Sequence, residues 1–217
     1  MNIIVIGPSG CGKRTQTRLL IERFGLTGIN VEEVLKEEKR KNGPIGIEIK
    51  GFLNKGLPIP EDVVFQVIEE RLKRPDCRNG LVMSDFPGTV DQAKAIERIL
   101  KNLDLKLDHV VSIEIGRDEV IKRLSGRRIC PKCNDEYHII FNPPTNEGMC
   151  NKCNSELYKR EDDQGDTVSA KYEQYQEISV PLMKYYKRKG ILKNIDGSNS
   201  ADQVSEKIAY ALTEASG

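Results

Sequence analysis

The 217-residue chain carries 34 Lys+Arg against 33 Asp+Glu, a formal net charge of +1, so no global field recruits nucleic acid or an anionic membrane and any anion binding is local. Hydrophobic residues make up 38% and charged residues 31%, a globular composition that argues against disorder, and no stretch approaches the roughly 18 apolar residues of a membrane span. The length favours one compact domain with room for inserted segments, and the N-terminal MNIIVIGPSG, with no basic segment ahead of a long apolar run, predicts a cytoplasmic protein.

Asn2 to Ile6 is a short β-branched run that ends in glycine, and Thr15 to Phe24 then places Leu19, Leu20 and Phe24 at helical spacing. Between them, Gly7-Pro8-Ser9-Gly10-Cys11-Gly12-Lys13 matches the G-x-x-x-x-G-K part of a phosphate loop. Its glycines let backbone N–H groups converge on phosphate oxygens, the helix N-terminus adds partial positive charge, and Lys13 neutralises the terminal phosphates. Arg14 stands where the general motif takes Ser or Thr, and Thr15 follows one position later. A glycine-rich turn without function is the competing reading, but the motif lies between a predicted strand and a predicted helix, as the chemistry requires.

Asn30 to Pro60 is charged and helical in pattern, with breaks at Asn42-Gly43-Pro44 and at Gly56 to Pro60. Asp62 to Lys73 and Val90 to Asn102 are helical stretches, while Leu81 to Ser84 and His109 to Ile115 are apolar runs that read as buried parallel strands. This alternation predicts an α/β fold, a doubly wound parallel sheet with nucleotide bound at the strand C-termini. Ile129 to about Asp163 breaks the rhythm. Thr167 to Lys189 is again helical, Ile191 to Ile195 is a last strand, and Ser200 to Ala215 is a closing helix.

Cys130-Pro-Lys-Cys133, sixteen residues, then Cys150-Asn-Lys-Cys153 gives two knuckles that supply four thiolates to one tetrahedral ion, a structural zinc that replaces a core too small to form alone. Two disulfides are the alternative, disfavoured by the absence of a secretion signal. A zinc ribbon that binds nucleic acid is a further possibility; Asp135, Glu136, Glu147 and Glu156 cancel the charge of Lys132 and Lys152, and the segment is poor in aromatic residues that read as exposed. Arg123, Arg127 and Arg128 precede the first knuckle and Arg160 follows the second, an arrangement suited to a closing lid that brings guanidiniums to a transferring phosphoryl group. A solvated charge run is the bland reading of the same residues.

Taken together, GPSGCGKRTQ, DFPGTVDQA, RLSGRR with the cysteine pairs, YH-x-x-FNPP, R-x-DD, PL-x-x-YY and IDG resemble the long-lid, zinc-carrying adenylate kinases over essentially the whole chain. The resemblance implies the P-loop nucleoside monophosphate kinase fold. It implies a core of residues 1–29, 61–126 and 164–217, a small acceptor-binding insertion at 30–60, and a zinc lid at 127–163. It implies ATP with Mg2+ on Gly10, Cys11, Gly12, Lys13, Arg14 and Thr15, with Arg123, Tyr137 and His138 beside the adenine and Arg127, Arg160 and Lys171 joining Lys13 in catalysis. Small-molecule nucleotides, ATP and AMP, are the implied partners of a monomer, without nucleic acid or membrane.

The acceptor half departs from the family pattern. The implied acceptor contacts are Val31, Lys36, Leu57, Ile59, Asp85, Gly88, Gln92, Arg160 and Lys171. Where the family has Ser-Thr-Gly-Asp-x-x-Arg, this chain has Asn30 to Lys36, so a threonine is Val31 and an arginine is Lys36. The family's Asp-Gly-Phe-Pro-Arg is here Ser84 to Gly88, which removes an arginine and turns a magnesium-shell aspartate into Ser84, with Asp85 one place later on a strand end where neighbours face opposite sides. Lys171 stands for a third arginine. Lysine offers a point charge where arginine offers a planar fork, and losing one transition-state donor costs about 3 to 4 kcal/mol. Two functions follow as expectations: a nucleoside monophosphate kinase, ATP and AMP giving two ADP, with lowered activity or an altered acceptor; or a nucleotide-binding homologue without significant kinase activity.

Overall fold

A computed structural model describes residues 1–214. Five parallel strands form one sheet in the order β2-β3-β1-β4-β7: β1 (Asn2–Ile6), β2 (Thr27–Asn30), β3 (Leu81–Ser84), β4 (His109–Glu114) and β7 (Leu192–Asp196). The doubly wound sheet expected from the alternation is present. Every residue of β1 and β3 is buried, as strands covered on both faces require.

Strand alternation divides the interior into two clusters. Ile4, Ile6, Leu81, Met83 and Val110 point to one face, where α2 (Val31–Arg40), α3 (Pro44–Asn54), α4 (Glu61–Leu72) and α5 (Val90–Asn102) supply Val34, Ile49, Val67 and Ile96. Ile3, Val5, Val82, Val111 and Ile113 point to the other, against α1 (Lys13–Phe24), α6 (Arg117–Ser125) and α8 (Ala201–Thr213) through Leu20, Leu124 and Ile208. The long α7 (Gly165–Arg188) joins them, with Val168 in the second cluster and Leu182 in the first.

Local signals set the helix limits. Gly25 ends α1 in the left-handed region, Asn30 caps α2 by accepting the Glu33 N–H at 3.0 Å, Pro44 starts α3, and Ser200 with Gln203 forms a capping box on α8. The closing helix ends at Thr213; its expected extension to Ala215 falls outside the described residues. Three strands escape the sequence pattern: β2, whose Thr-Gly-Ile-Asn is short and interrupted by glycine, and β5 (Arg127–Ile129) and β6 (Glu136–His138), which pair antiparallel as a second small sheet.

Candidate active site

The phosphate loop lies at the carboxyl edge of β1. Gly10 (φ +81°) and Gly12 (φ +96°) hold left-handed conformations that favour glycine, and Gly12 leads directly into the first turn of α1, where Thr15 is exposed. The Cys11 side chain is buried in the core behind the loop, and burial pushes its thiol up, so only its backbone is available to a phosphate. Lys13 Nζ donates to the carbonyls of Gly7 (2.8 Å) and Pro8 (3.0 Å) and lies 3.3 Å from Asp85 Oδ1.

That last contact shows which way the Asp85 side chain points. Alternation along β3 would turn Asp85 away from Ser84, but Asp85 has left the strand with φ +64°, so the pleat no longer governs its direction and its carboxylate meets the loop lysine. A cavity of about 290 Å³ opens here, lined by Gly7, Lys13, Asp85 and Gly88 and closed by Tyr175 and Ser179 of α7. The Gly88 N–H donates to Gln92 Oε1 at 2.8 Å, and Gln92 Nε2 donates to Glu61 Oε1 at 2.7 Å, which fixes the amide beside Gly88.

Within residues 30–60, the cationic Lys36 is paired with Glu32 at 2.6 Å. Val31 is a core residue in the cluster with Val34 and Ile49, so its side chain contributes packing. Leu57 is exposed and Ile59 is half-buried against the same cluster.

The cysteine segment builds two copies of one turn. In the first, the Cys130 N–H donates to Asp135 O and Asn134 N–H donates to Cys130 O; in the second, Cys150 N–H donates to Ser155 O and Asn154 N–H to Cys150 O. Asn134 (φ +55°) and Asn154 (φ +54°) take the left-handed position in each, a conformation asparagine tolerates. The four Sγ atoms lie within 4.8 Å of one another and none is in a disulfide. A tetrahedron of thiolates about 2.3 Å from zinc has edges of about 3.8 Å, so the set fits that ion. The Tyr137 hydroxyl, 3.4 Å from Cys150 Sγ, draws that thiol down to about 6, toward the thiolate a metal takes.

The Tyr137 side chain therefore belongs to the interior of the cysteine segment with Cys130, Cys150 and Leu157. Its neighbour His138 accepts the N–H groups of Ile140 and Phe141 on Nδ1, at 3.0 and 3.1 Å, which places the proton of the neutral ring on Nε2; burial lowers its pKa. A Cβ at Gly126 would meet that ring at 2.4 Å. Contrary to the expectation from composition, the cysteine segment exposes Ile139, Ile140, Phe141 and Tyr158, whereas Lys152 and Asp135 do pair at 3.0 Å, as charge cancellation requires.

Arg123, Arg127, Arg160 and Lys171 are each held by an acid. Arg123 donates to Glu119 Oε1 (2.8 Å) and to the carbonyl of Gly197 (2.8 Å). Arg127 forms a fork with both oxygens of buried Asp163 at 2.6 and 2.8 Å. Arg160 forms a similar fork with Asp162, which also receives Lys171 Nζ at 2.6 Å and is held below the usual carboxylate range, first by Lys171 and then by Arg160. The sequence reading assigned no role to Asp162 or Asp163; an acidic pair directly after a functional arginine was the available signal.

A glycine loop at the carboxyl edge of a parallel sheet, with a lysine over it and paired cations on a metal-ready segment beside it, defines a nucleotide phosphotransferase. The profile of the adenylate kinase family matches residues 5–191. Adenylate kinases of Carboxydothermus hydrogenoformans and Desulforamulus reducens are 40% and 39% identical over 212 residues, covering 98% of this chain and 99% and 100% of theirs. That of Archaeoglobus fulgidus is 38% identical, over 98% of each chain. The chain belongs to the adenylate kinase family and is a phosphotransferase.

Proposed function

We propose that the chain transfers the γ-phosphoryl group of ATP to AMP, giving two ADP, at a rate held down by its acceptor half. The observation that carries this reading is the junction of Lys13 and Asp85, 3.3 Å apart, beside the phosphate loop and the cavity that α7 closes. ATP phosphates lie on the N–H groups of residues 10–15, with the base near Arg123 and His138. An anionic oxygen of AMP attacks the γ-phosphorus in line as the bond to the β-phosphate oxygen breaks, so no proton transfer is needed and the residues work by position and charge. Lys13, Arg127, Arg160 and Lys171 neutralise the phosphoryl oxygens. Gln92 faces the acceptor base, with Leu57 and Ile59 on the acceptor side.

The oxygen donors Thr15 and Asp85 suit a hard cation, and Mg2+ when bound there neutralises phosphate charge. Cys130, Cys133, Cys150 and Cys153 hold zinc, which folds the lid and touches no nucleotide. Residues 30–60 act as the acceptor insertion and 127–163 as the lid on the remaining core. A cytoplasmic monomer without nucleic-acid or membrane partners completes the reading, in keeping with the near-zero net charge; among the described residues no helix is long and apolar enough to cross a membrane.

A coupled assay of ADP formation with AMP, CMP, UMP and GMP in turn tests it, AMP being expected as the best acceptor. Restoring the family chemistry with Val31→Thr, Lys36→Arg, Ser84→Asp, Asp85→Gly, Gly88→Arg and Lys171→Arg together should raise AMP turnover by orders of magnitude. No ADP from any acceptor, before or after restoration, would instead establish the nucleotide-binding homologue without kinase activity, a reading favoured by the pairing of Lys36 to Glu32.

A further inference from the structure

Arg14 contributes its backbone to the phosphate loop, but its side chain leaves it. One terminal guanidinium nitrogen lies 3.8 Å from Glu33 Oε1, in the first turn of α2, and the other lies 3.6 Å from Glu136 Oε1 on β6 of the lid. Glu136 also faces Arg127 at 4.0 Å. Among the described residues, other ion pairs reach one insertion or the other from outside, Arg74 to Glu37 and Lys171 to Asp162, but Arg14 alone holds an acid of each.

We propose that Arg14 is a positioning residue that straps the acceptor insertion to the lid across the mouth of the phosphate loop. The electrostatics depend on its charge. Without the guanidinium, Glu33 and Glu136 are like charges on the two segments, relieved only by Arg127 at 4.0 Å from Glu136, and their repulsion opposes the approach of the segments. With it, each carboxylate has a cation at a separate nitrogen, which a planar fork provides and a lysine ammonium does not. All three side chains are solvent-accessible, so the strap is weak and salt-sensitive. Weak straps suit a segment that must reopen to release product.

The distance between the two segments tests the proposal without any turnover, and so independently of the acceptor's identity. Spin labels carried on non-canonical residues at exposed positions 47 and 140 would report it by pulsed electron resonance. Arg14→Gln is expected to lengthen and broaden the distribution, and Arg14→Lys to do so by less. In a Glu33→Gln/Glu136→Gln background, Arg14→Gln should add nothing further. In steady state with saturating ATP, Arg14→Gln should raise the KM for AMP about three- to tenfold at low salt, the scale two exposed ion pairs supply, with a smaller effect at high salt. An unchanged distribution in Arg14→Gln overturns the proposal. So does the same lengthening in the background that lacks both glutamates.

Discussion

Asp163→Asn isolates how the lid holds its inner arginine. Asp163 is 2% exposed and both of its oxygens receive Arg127, at 2.6 and 2.8 Å. Asparagine keeps the shape but turns one acceptor into an N–H donor facing a guanidinium N–H, and it leaves the arginine charge with only the more distant Glu136, 4.0 Å away. Breaking a buried pair from one side costs about 3 to 5 kcal/mol, and the 17% exposure of the Arg127 side chain lets water relieve part of this, so the low end, about 3 kcal/mol, is expected. In a chain of this length that lowers Tm by about 6 to 10 °C, read by calorimetry. The companion Arg127→Met/Asp163→Leu, which removes both charges, should recover much of the stability while turnover stays low, because the phosphoryl cation is gone. A single Asp163→Asn variant within about 0.5 kcal/mol of the native protein would refute the buried-pair argument.

Elemental analysis should find one zinc per chain, and chelation or Cys150→Ser should lower Tm far more than ATP affinity; equal losses would place the metal in the nucleotide site. Lys13→Ala should abolish ATP binding by calorimetric titration, whereas Cys11→Ala, which trims a buried side chain behind the loop, should cost about 1 kcal/mol of stability and little affinity. Gly126→Ala drives a methyl into the His138 ring and should cost about 1 to 3 kcal/mol in urea unfolding, with weaker ATP binding. Asp196 is drawn down from 3.8 to about 2, chiefly by the Ser198 hydroxyl. Its stabilisation is therefore complete above about pH 4 and lost as pH falls through about 2, and Asp196→Asn should flatten that limb of an acid-unfolding curve.

The sheet and the phosphate loop were legible because burial on both faces writes continuous apolar runs and because glycine marks the loop. The helix Val90–Asn102 was read to the residue, since Thr89 caps its start. β2 was not, because four residues with an internal glycine carry no period; neither was the β5–β6 pair, whose three-residue strands are too short to alternate visibly. The cysteine spacing announced a cluster of four thiols but neither the paired asparagine turns nor the Tyr137 hydroxyl beside Cys150. Strand alternation, which would turn Asp85 away from Ser84, stops at the last strand residue; a single positive φ changes the direction of a side chain, and sequence gives only weak warning of that.

The separate interior formed by Cys130, Tyr137, Cys150 and Leu157 shares no member with either cluster that flanks the sheet. A plate with its own keel can swing without disturbing the hull. Loss of packing in the main body need not soften the lid, and changes to the lid's outer loop, where Ile139, Ile140 and Phe141 meet solvent, need not be felt by the sheet. The chain thus holds two regions free to drift apart in sequence, tied among other places where Gly126 meets His138 and where Lys171 meets Asp162.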